Sequence, residues 1–251
     1  MRALSSVFLE DFEQAIHLAD VPDPCPYLSH QVATFRFGNG LIAAPHYREL
    51  LDAGYRRNGE FVYRPNCRFC QECQILRVPT QGFQPSREQR RVWRKGAPLF
   101  EVQLAAPAWS HEKLALYRRY LEEQHNDAAL DVDPDRYARF MVDSCLGGRT
   151  MEAQYRMNGR LVGVGILDRL PDALSSVYFY FDPAIARLSP GTFSALYEIQ
   201  LAHDWGLDYY YLGYYIAGCT SMSYKARVRP CQVKRLGEPE WRTCSPKDPY
   251  P

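Results

Sequence analysis

The sequence predicts an α+β protein with a smaller N-terminal domain over residues 1–97 and a larger C-terminal domain over residues 98–251. Two observations support this division. The N-terminal part contains short turn-bounded segments around Cys67, Cys70 and Cys73, and two residues separate each cysteine from the next. From about residue 98 the pattern changes to longer apolar-periodic helices and strands. We therefore expect a cysteine-containing N-terminal domain followed by a larger layered domain.

Composition excludes several protein classes. The 251 residues are 46% hydrophobic and 24% charged, which is ordinary for a globular protein. No window approaches the roughly 18 apolar residues of a membrane span, and no secretory signal is visible at the N-terminus. We expect a cytoplasmic protein without a membrane partner, in which closely spaced cysteines are reduced or bind a metal.

The first half is predicted to contain an N-terminal arm, two helices, a hairpin and a strand. The arm is proline-containing and loosely docked, and glycine or proline marks most of the other boundaries. These predictions are an arm over 1–24, a helix over 45–54, a hairpin over 55–64, a strand over 75–78 and a basic helix over 86–95.

The second half is predicted to contain longer elements. Apolar residues recur at helical spacing in the first helix, and Asn158-Gly159 is typical of a hairpin turn. The predicted helices span 110–125, 134–145 and 191–205, and the strands span 100–104, 150–157, 161–169, 175–181, 209–215 and 232–236.

This element order resembles that of GNAT-like acyltransferases, in which the central strands of an α+β sheet splay around an acyl donor. Acetyltransferases of this fold place a glycine-rich turn before the central helix to bind pyrophosphate. The equivalent turn here, residues 187–192, has one glycine, and Pro190 removes a backbone donor. An acyl donor other than acyl-CoA is therefore favoured.

Several blocks in order along the chain resemble the bacterial branch of the arginyl-tRNA–protein transferase family. In the first half they are residues 25–28, 54–57, 61–65, the cysteine run and 83–91. In the second half they are residues 179–183, 189–194, 198–199, 211–216 and 219–227.

The resemblance implies transfer of an amino acid from charged tRNA to proteins with N-terminal Asp or Glu, which marks them for degradation. Short bacterial members resemble leucyltransferases, so leucyl-tRNA is favoured, with arginine as the alternative. An aminoacyl ester is already activated, and an α-amine has a pKa of roughly 7.7–8.0. No strong base or cofactor is required, and alignment together with oxyanion donors is the main demand.

Catalytic candidates come from the family blocks that flank the splay. They are Tyr178, Tyr180, Ser194, Glu198 and Tyr214. The alternative is that Glu198 is a charge on a helix face and that the tyrosines are core residues.

Candidates for tRNA binding are basic. Arg87, Arg90, Arg91 and Arg94 recur along one helix face, with Trp93 predicted off that face. Lys225 and Arg227 follow Tyr224 closely, and together these residues combine charge with stacking. A merely solvated basic helix is the alternative.

The acidic N-terminus of an acceptor needs a cation, and arginine matches a carboxylate in bidentate geometry. The candidates are Arg36, Arg56, Arg64 and Arg77, with Arg64 favoured because it precedes Pro65.

Cys25 with the three-cysteine run could hold Zn²⁺ or an iron–sulfur cluster. Eukaryotic relatives are described as cluster-binding. Their first segment looks like one with two cysteines, whereas this chain has only Cys25 at that place. Free thiols are the alternative. Two further functions stay open from the residues, namely an acyl-CoA-dependent N-acetyltransferase and a metal-stabilised RNA-binding module.

Overall fold

A computed structural model describes residues 6–125, 132–219, 222 and 224–244. The helices are α1 Ser6–Ile16, α2 Gly40–Ala43, α3 Tyr47–Asp52, α4 Arg87–Gly96, α5 His111–His125, α6 Pro134–Met141 and α7 Pro190–Asp204. The strands are β1 His17–Pro24, β2 Val32–Asn39, β3 Arg56–Asn58, β4 Phe61–Pro65, β5 Gln74–Pro79, β6 Glu101–Ala105, β7 Thr150–Met157, β8 Arg160–Arg169, β9 Ala173–Phe181, β10 Tyr209–Tyr215, β11 Cys231–Arg235 and β12 Arg242–Cys244. The α+β class is confirmed.

The chain forms two compact units. The first comprises residues 1–77, 144–146 and 213–251, and the second comprises residues 78–143 and 147–212. The predicted boundary at residue 97 does not coincide with this division. The reason lies within the first unit, where β11 pairs antiparallel with β5 and so returns the C-terminal part of the chain to the N-terminal part.

The first unit contains a four-stranded sheet in the order β1-β2-β4-β3. The prediction of a loosely docked arm is wrong for residues 6–24, which form α1 and β1, while residues 1–5 lie outside the described residues. Ile16 at the end of α1 is 1% exposed, and β1 pairs along its length with β2. Every residue of β1 is exposed, so its sequence lacks the alternation that would have revealed a strand.

The second unit contains the strand order β10-β9-β8-β7-β6. Strands β6 to β9 are antiparallel, whereas β10 runs parallel to β9 with Tyr209 opposite Ala173 and Tyr211 opposite Ser175. The predicted GNAT-like order of two helices, three antiparallel strands, a long helix and a further strand is confirmed.

Helices cover both faces of the strands in the second unit. Leu116 of α5 and Tyr137 of α6 pack in one buried cluster with Val164 and Ile166 of β8. Gly165, between those two β8 residues, points to the other face, where a Cβ would lie 3.4 Å from Glu198 Oε1 of α7. The core therefore has α5 and α6 on one side of the strands and α7 on the other.

Local sequence signals explain several elements. Ser86 and Gln89 form a capping box at the start of α4, as the predicted serine cap requires. The hairpin between β7 and β8 turns at Asn158 and Gly159, both with positive φ. Helix α6 ends at Met141, four residues before the predicted end at 145. None of the helices described here is long and apolar enough to cross a bilayer.

Candidate functional site

A buried hydrogen-bond network joins α7 to the strands of the second unit. The Ser194 hydroxyl donates to Glu198 Oε1 at 2.5 Å, and the Tyr155 hydroxyl donates to Ser194 Oγ at 3.2 Å. Tyr210 donates to Glu198 Oε2 at 2.6 Å, and Ser176 also hydrogen bonds to this carboxylate. Because Ser194 and Glu198 are four residues apart, they share one face of the helix. The structure thus places these two predicted residues together.

The network is enclosed. Ser194 is 2% exposed and Glu198 is 1% exposed. Burial raises the pKa of Glu198 above its ordinary value, although the hydroxyl donors act in the opposite direction. An enclosed carboxyl of this kind can fix the position of α7 on the strands, and it does not present an open surface to a substrate.

A β-bulge in β9 divides the side chains of this strand between the two faces. Tyr178 is opposite Ile166 and Ser176 is opposite Leu167, so Val177 is an additional residue in the ladder. The bulge reverses the usual alternation, and Ser176 reaches Glu198 while Tyr178 points to the opposite side. No sequence pattern signalled this bulge.

Tyr178 and Tyr180 therefore lie away from the Ser194–Glu198 pair. Tyr180 is fully buried and its hydroxyl is 2.7 Å from that of Tyr137 on α6. The Tyr178 ring packs edge-on against Tyr117 of α5 at a centroid distance of 6.0 Å. Burial raises the pKa of both tyrosines, so their phenol groups stay neutral. The contacts are those of an aromatic core, the alternative that the sequence left open.

Tyr214 belongs to the first unit. Its hydroxyl donates to the Gly54 carbonyl at 2.5 Å, and the Arg56 guanidinium lies 5.2 Å from its ring centroid. Lys225 Nζ donates to the Tyr214 carbonyl at 2.7 Å. Burial, together with the nearby Arg56 charge, lowers the pKa of Lys225 to about 7. Lys225 is therefore held inside the unit, whereas Arg227 is exposed as a phosphate-binding residue would be.

The four arginines that are candidates for binding the acidic N-terminus of a substrate already contact carboxylate or carbonyl groups of this chain. Three bind carboxylates, in the pairs Arg36–Asp20, Arg64–Glu13 and Arg77–Asp52. The fourth, Arg56, is 6% exposed and donates to the Tyr55 carbonyl at 2.7 Å. Arg64 Nη2 donates to Glu13 Oε2 at 2.9 Å. Arg64 Nη1 lies 2.9 Å from Glu13 Oε1, but this oxygen accepts no hydrogen bond among the described residues, so the ion pair is held by one hydrogen bond and one close charge contact.

All four candidate ligand cysteines line one cavity of about 190 Å³ in the first unit. Arg64 lines the same cavity. Burial and the neighbouring cysteines raise the pKa of Cys73 to about 12, and the backbone N–H of Thr34 donates to Cys67 Sγ at 3.4 Å. Within the described ranges, no three Cys, His, Asp or Glu residues lie close enough together to hold an ion. The type of donor suits a soft metal, but the spacing in this structure does not.

A groove of about 550 Å³ lies between α4 and α7 in the second unit. Three of the predicted tRNA-binding residues line it, namely Arg87, Arg90 and Arg94, whereas Arg91 does not. The prediction that Trp93 lies off the arginine face is wrong, because Trp93 lines the same groove. It follows Arg90 by three residues, and residues at that spacing are neighbours on a helix.

Sequence reasoning missed some of the residues that hold these sites. Tyr155 and Tyr210 complete the network around Glu198, and Glu13 completes the Arg64 ion pair. The strand pattern around Tyr210 gave a weak signal, because a polar hydroxyl inside an apolar strand needs a partner. Glu13 gave none, since 51 residues separate it from Arg64.

Comparisons with known proteins cover most of the chain. Residues 23–91 match the family model for the N terminus of arginine-tRNA-protein transferase, and residues 112–235 match the model for its C terminus. The aspartate/glutamate leucyltransferase of Chromobacterium violaceum is 39% identical over 233 residues, which are 91% of this chain and 94% of the relative. The protein of the same name from Hahella chejuensis is 34% identical, over 90% of this chain and 96% of the relative.

A solved structure of FemX is similar over 78% of this chain and 67% of its own, with 8% identity and a TM-score of 0.49. The fold assignment depends on the strand order described above, and the family assignment depends on the sequence matches. Those matches reach both parts of the chain and nearly the full length of two relatives. The chain therefore belongs to the arginine-tRNA-protein transferase family.

Proposed function

We propose that this chain is a cytoplasmic aspartate/glutamate leucyltransferase. It transfers leucine from charged tRNA to the α-amine of proteins that begin with Asp or Glu, and the new N-terminal leucine is a degradation signal. The observation that carries the proposal is the match, over 91% and 90% of this chain, to two relatives of that name.

The chemistry needs positioning more than activation. The acceptor α-amine attacks the ester carbonyl of leucyl-tRNA, an amide C–N bond forms and the C–O bond to the tRNA ribose breaks. The amine loses a proton and the released ribose oxygen gains one, so the reaction is balanced without a cofactor. Because a neutral α-amine is a sufficient nucleophile near pH 7, alignment of the two substrates accounts for most of the catalysis.

We assign Ser194 and Glu198 a positioning role in this reaction. Their network with Tyr155 and Tyr210 holds α7 against the strands of the second unit. Both side chains are buried, so a direct contact with substrate is not part of the assignment. Tyr214 is assigned a similar role in the first unit, where it links Gly54, Arg56 and Lys225.

Arg64 is our candidate for the acceptor's acidic side chain. It lies at a cavity and already forms an ion pair and one hydrogen bond with a carboxylate, that of Glu13. Arg64→Ala is expected to raise KM for acceptors that begin with Asp or Glu while KM for leucyl-tRNA stays unchanged. Arg77→Ala serves as a matched control, because Arg77 is stacked on Trp241 at 3.9 Å and does not line that cavity. An equal effect of both variants on acceptor KM would contradict the assignment.

The four cysteines are proposed as the ligands of a soft metal ion because thiols suit such an ion and all four line one cavity, although the structure does not bring three of them within ligand distance of one another. No step of the reaction depends on it. Metal analysis of the purified protein, compared with a Cys70→Ser variant, tests this directly. Metal below one-tenth of a molar equivalent after purification under reducing conditions with added zinc or iron would leave the cysteines as free thiols.

Transfer of labelled amino acid from purified charged tRNA tests the function. The acceptors are one reporter protein with an N-terminal Asp, Glu or Ala, and the donors are leucyl-tRNA and arginyl-tRNA. We expect label from leucyl-tRNA on the Asp and Glu forms alone. Label from arginyl-tRNA would show that arginine is transferred in place of leucine. Labelling of the Ala form would refute recognition of the acidic N-terminal residue.

A further inference from the structure

The groove between α4 and α7 has one rigid aromatic wall. The rings of Trp93 and Phe193 are stacked with centroids 5.2 Å apart and planes inclined by 18°. Phe193 is buried, and a Cβ on Gly96 would lie 2.5 Å from its Cδ2 atom, so glycine allows α4 to approach α7 this closely. Trp93 is thus fixed where it lines the groove.

The charged residues of this groove are basic. Arg87, Arg90 and Arg94 line it, and its described lining includes no Asp or Glu. Arg90 is held in place by a 2.6 Å hydrogen bond to the Pro85 carbonyl. Three guanidiniums beside apolar side chains, without a carboxylate, complement a ligand that is both anionic and flat.

The opposite wall comes from α7. Leu196 and Ile199 supply apolar surface, and Gln200 and His203 supply polar groups. A volume of about 550 Å³ lies within the range of sites that bury a small ligand. An unpaired base can insert into such a site, while a base inside a duplex has no free face to offer an aromatic side chain.

We propose that this groove binds the unpaired 3′ end of the charged tRNA, with a base packed against Trp93 and its phosphates on Arg87, Arg90 and Arg94. The proposal rests on the proposed function, because it names the place where that reaction's donor is held. It separates the arginines of α4 into two groups, since Arg91 lies on the same helix but outside the groove.

The binding test uses a labelled single-stranded oligoribonucleotide with the tRNA 3′ sequence and the same sequence in a duplex. Fluorescence anisotropy with the full chain should show tighter binding of the single strand. Trp93→Leu should weaken this binding roughly tenfold, and Trp93→Phe should restore most of it, because every aromatic ring can stack on a base.

Removal of one positive charge from the groove provides an independent test. Arg94 is exposed, so its substitution leaves the core intact. Arg94→Ala should weaken single-strand binding several-fold and reduce the slope of log affinity against log salt by about 0.7. Arg91→Ala removes the same charge from the same helix and is expected to change affinity less than twofold. Equal effects of the two variants would mean a general basic field and would overturn the site.

Transfer kinetics distinguish failure of this inference from failure of the proposed function. Absence of transfer by the wild-type protein with any charged tRNA would count against the function itself. If the wild type is active, Trp93→Leu should raise KM for leucyl-tRNA and leave KM for the acceptor unchanged. Unchanged KM for the tRNA, or an increase confined to the acceptor, would overturn the assignment of the groove to the tRNA end.

Discussion

Removal of the Glu198 carboxylate should destabilise the protein far more than a typical surface substitution. In Glu198→Ala the hydroxyls of Ser194 and Tyr210 lose their acceptors in a site that water does not reach. A buried donor without a partner costs about 1–3 kcal/mol, so the two together cost roughly 2–6 kcal/mol before any cavity contribution. This is a large part of the about 5–15 kcal/mol that stabilises an ordinary domain.

The assay is urea unfolding followed by circular dichroism, with Tyr210→Phe as the partner variant in a double-mutant cycle. Tyr210→Phe alone removes one donor and should cost about 0.5–1.5 kcal/mol. In the Glu198→Ala background the same change should cost less, because the hydroxyl already lacks its acceptor. A Glu198→Ala protein within 1 kcal/mol of wild type, or strict additivity of the two changes, would refute the network as described.

The pH dependence follows from the same carboxyl. Its pKa is raised in the folded protein, so the folded state binds more protons than the unfolded state just above the ordinary glutamate pKa. The contribution of Glu198 to stability is therefore complete at low pH and is lost as pH rises through the folded-state pKa. Comparing the wild type with Glu198→Gln at several pH values isolates this contribution, and parallel curves would contradict it.

Three further outcomes are expected. Burial lowers the pKa of Lys225, so the folded state binds fewer protons than the unfolded state above pH 7. The free energy of unfolding should therefore rise with pH between about 7 and the ordinary lysine pKa. The urea midpoint of the wild type should show this rise, and that of Lys225→Met should lack it. Gly40→Ala should destabilise strongly, because its Cβ would lie 2.1 Å from a backbone oxygen, whereas Gly191→Ala meets no atom within 4 Å and should stabilise α7 by up to about 1 kcal/mol in thermal unfolding. Glu13→Gln should lower the KM of Asp-initiated acceptors if Arg64 binds them, since the competing carboxylate is removed, and an unchanged KM would argue against Arg64.

Periodicity and turn chemistry predicted the second unit well. Helices α5 and α7 and strands β7, β8 and β9 lie close to their predicted positions, because each is long and alternates with clear turns. The strands β1, β2 and β12 were missed. β1 has no buried residue, and β12 has only three residues, so neither produces a recognisable pattern.

The candidate site was predictable where its residues are close in sequence. Ser194 and Glu198 are one helical turn apart, and their contact follows from that spacing. The separation of Tyr178 from them was not predictable, because it depends on one bulged residue in β9. A bulge changes which face a side chain occupies without changing the apolar pattern around it.

The ion pairs of the first unit indicate which arginine could exchange partners. Arg77 is 7% exposed, hydrogen bonds to Gln232 and stacks on Trp241, so a bound carboxylate would have to disrupt several contacts. Arg64 is also paired, but it lines a cavity and its carboxylate partner comes from α1. An acceptor carboxylate would replace one ion pair of the Arg64 guanidinium with another, so the cation would keep a carboxylate partner. Since a half-buried cation is costly only when it lacks a partner, this exchange is least unfavourable at Arg64.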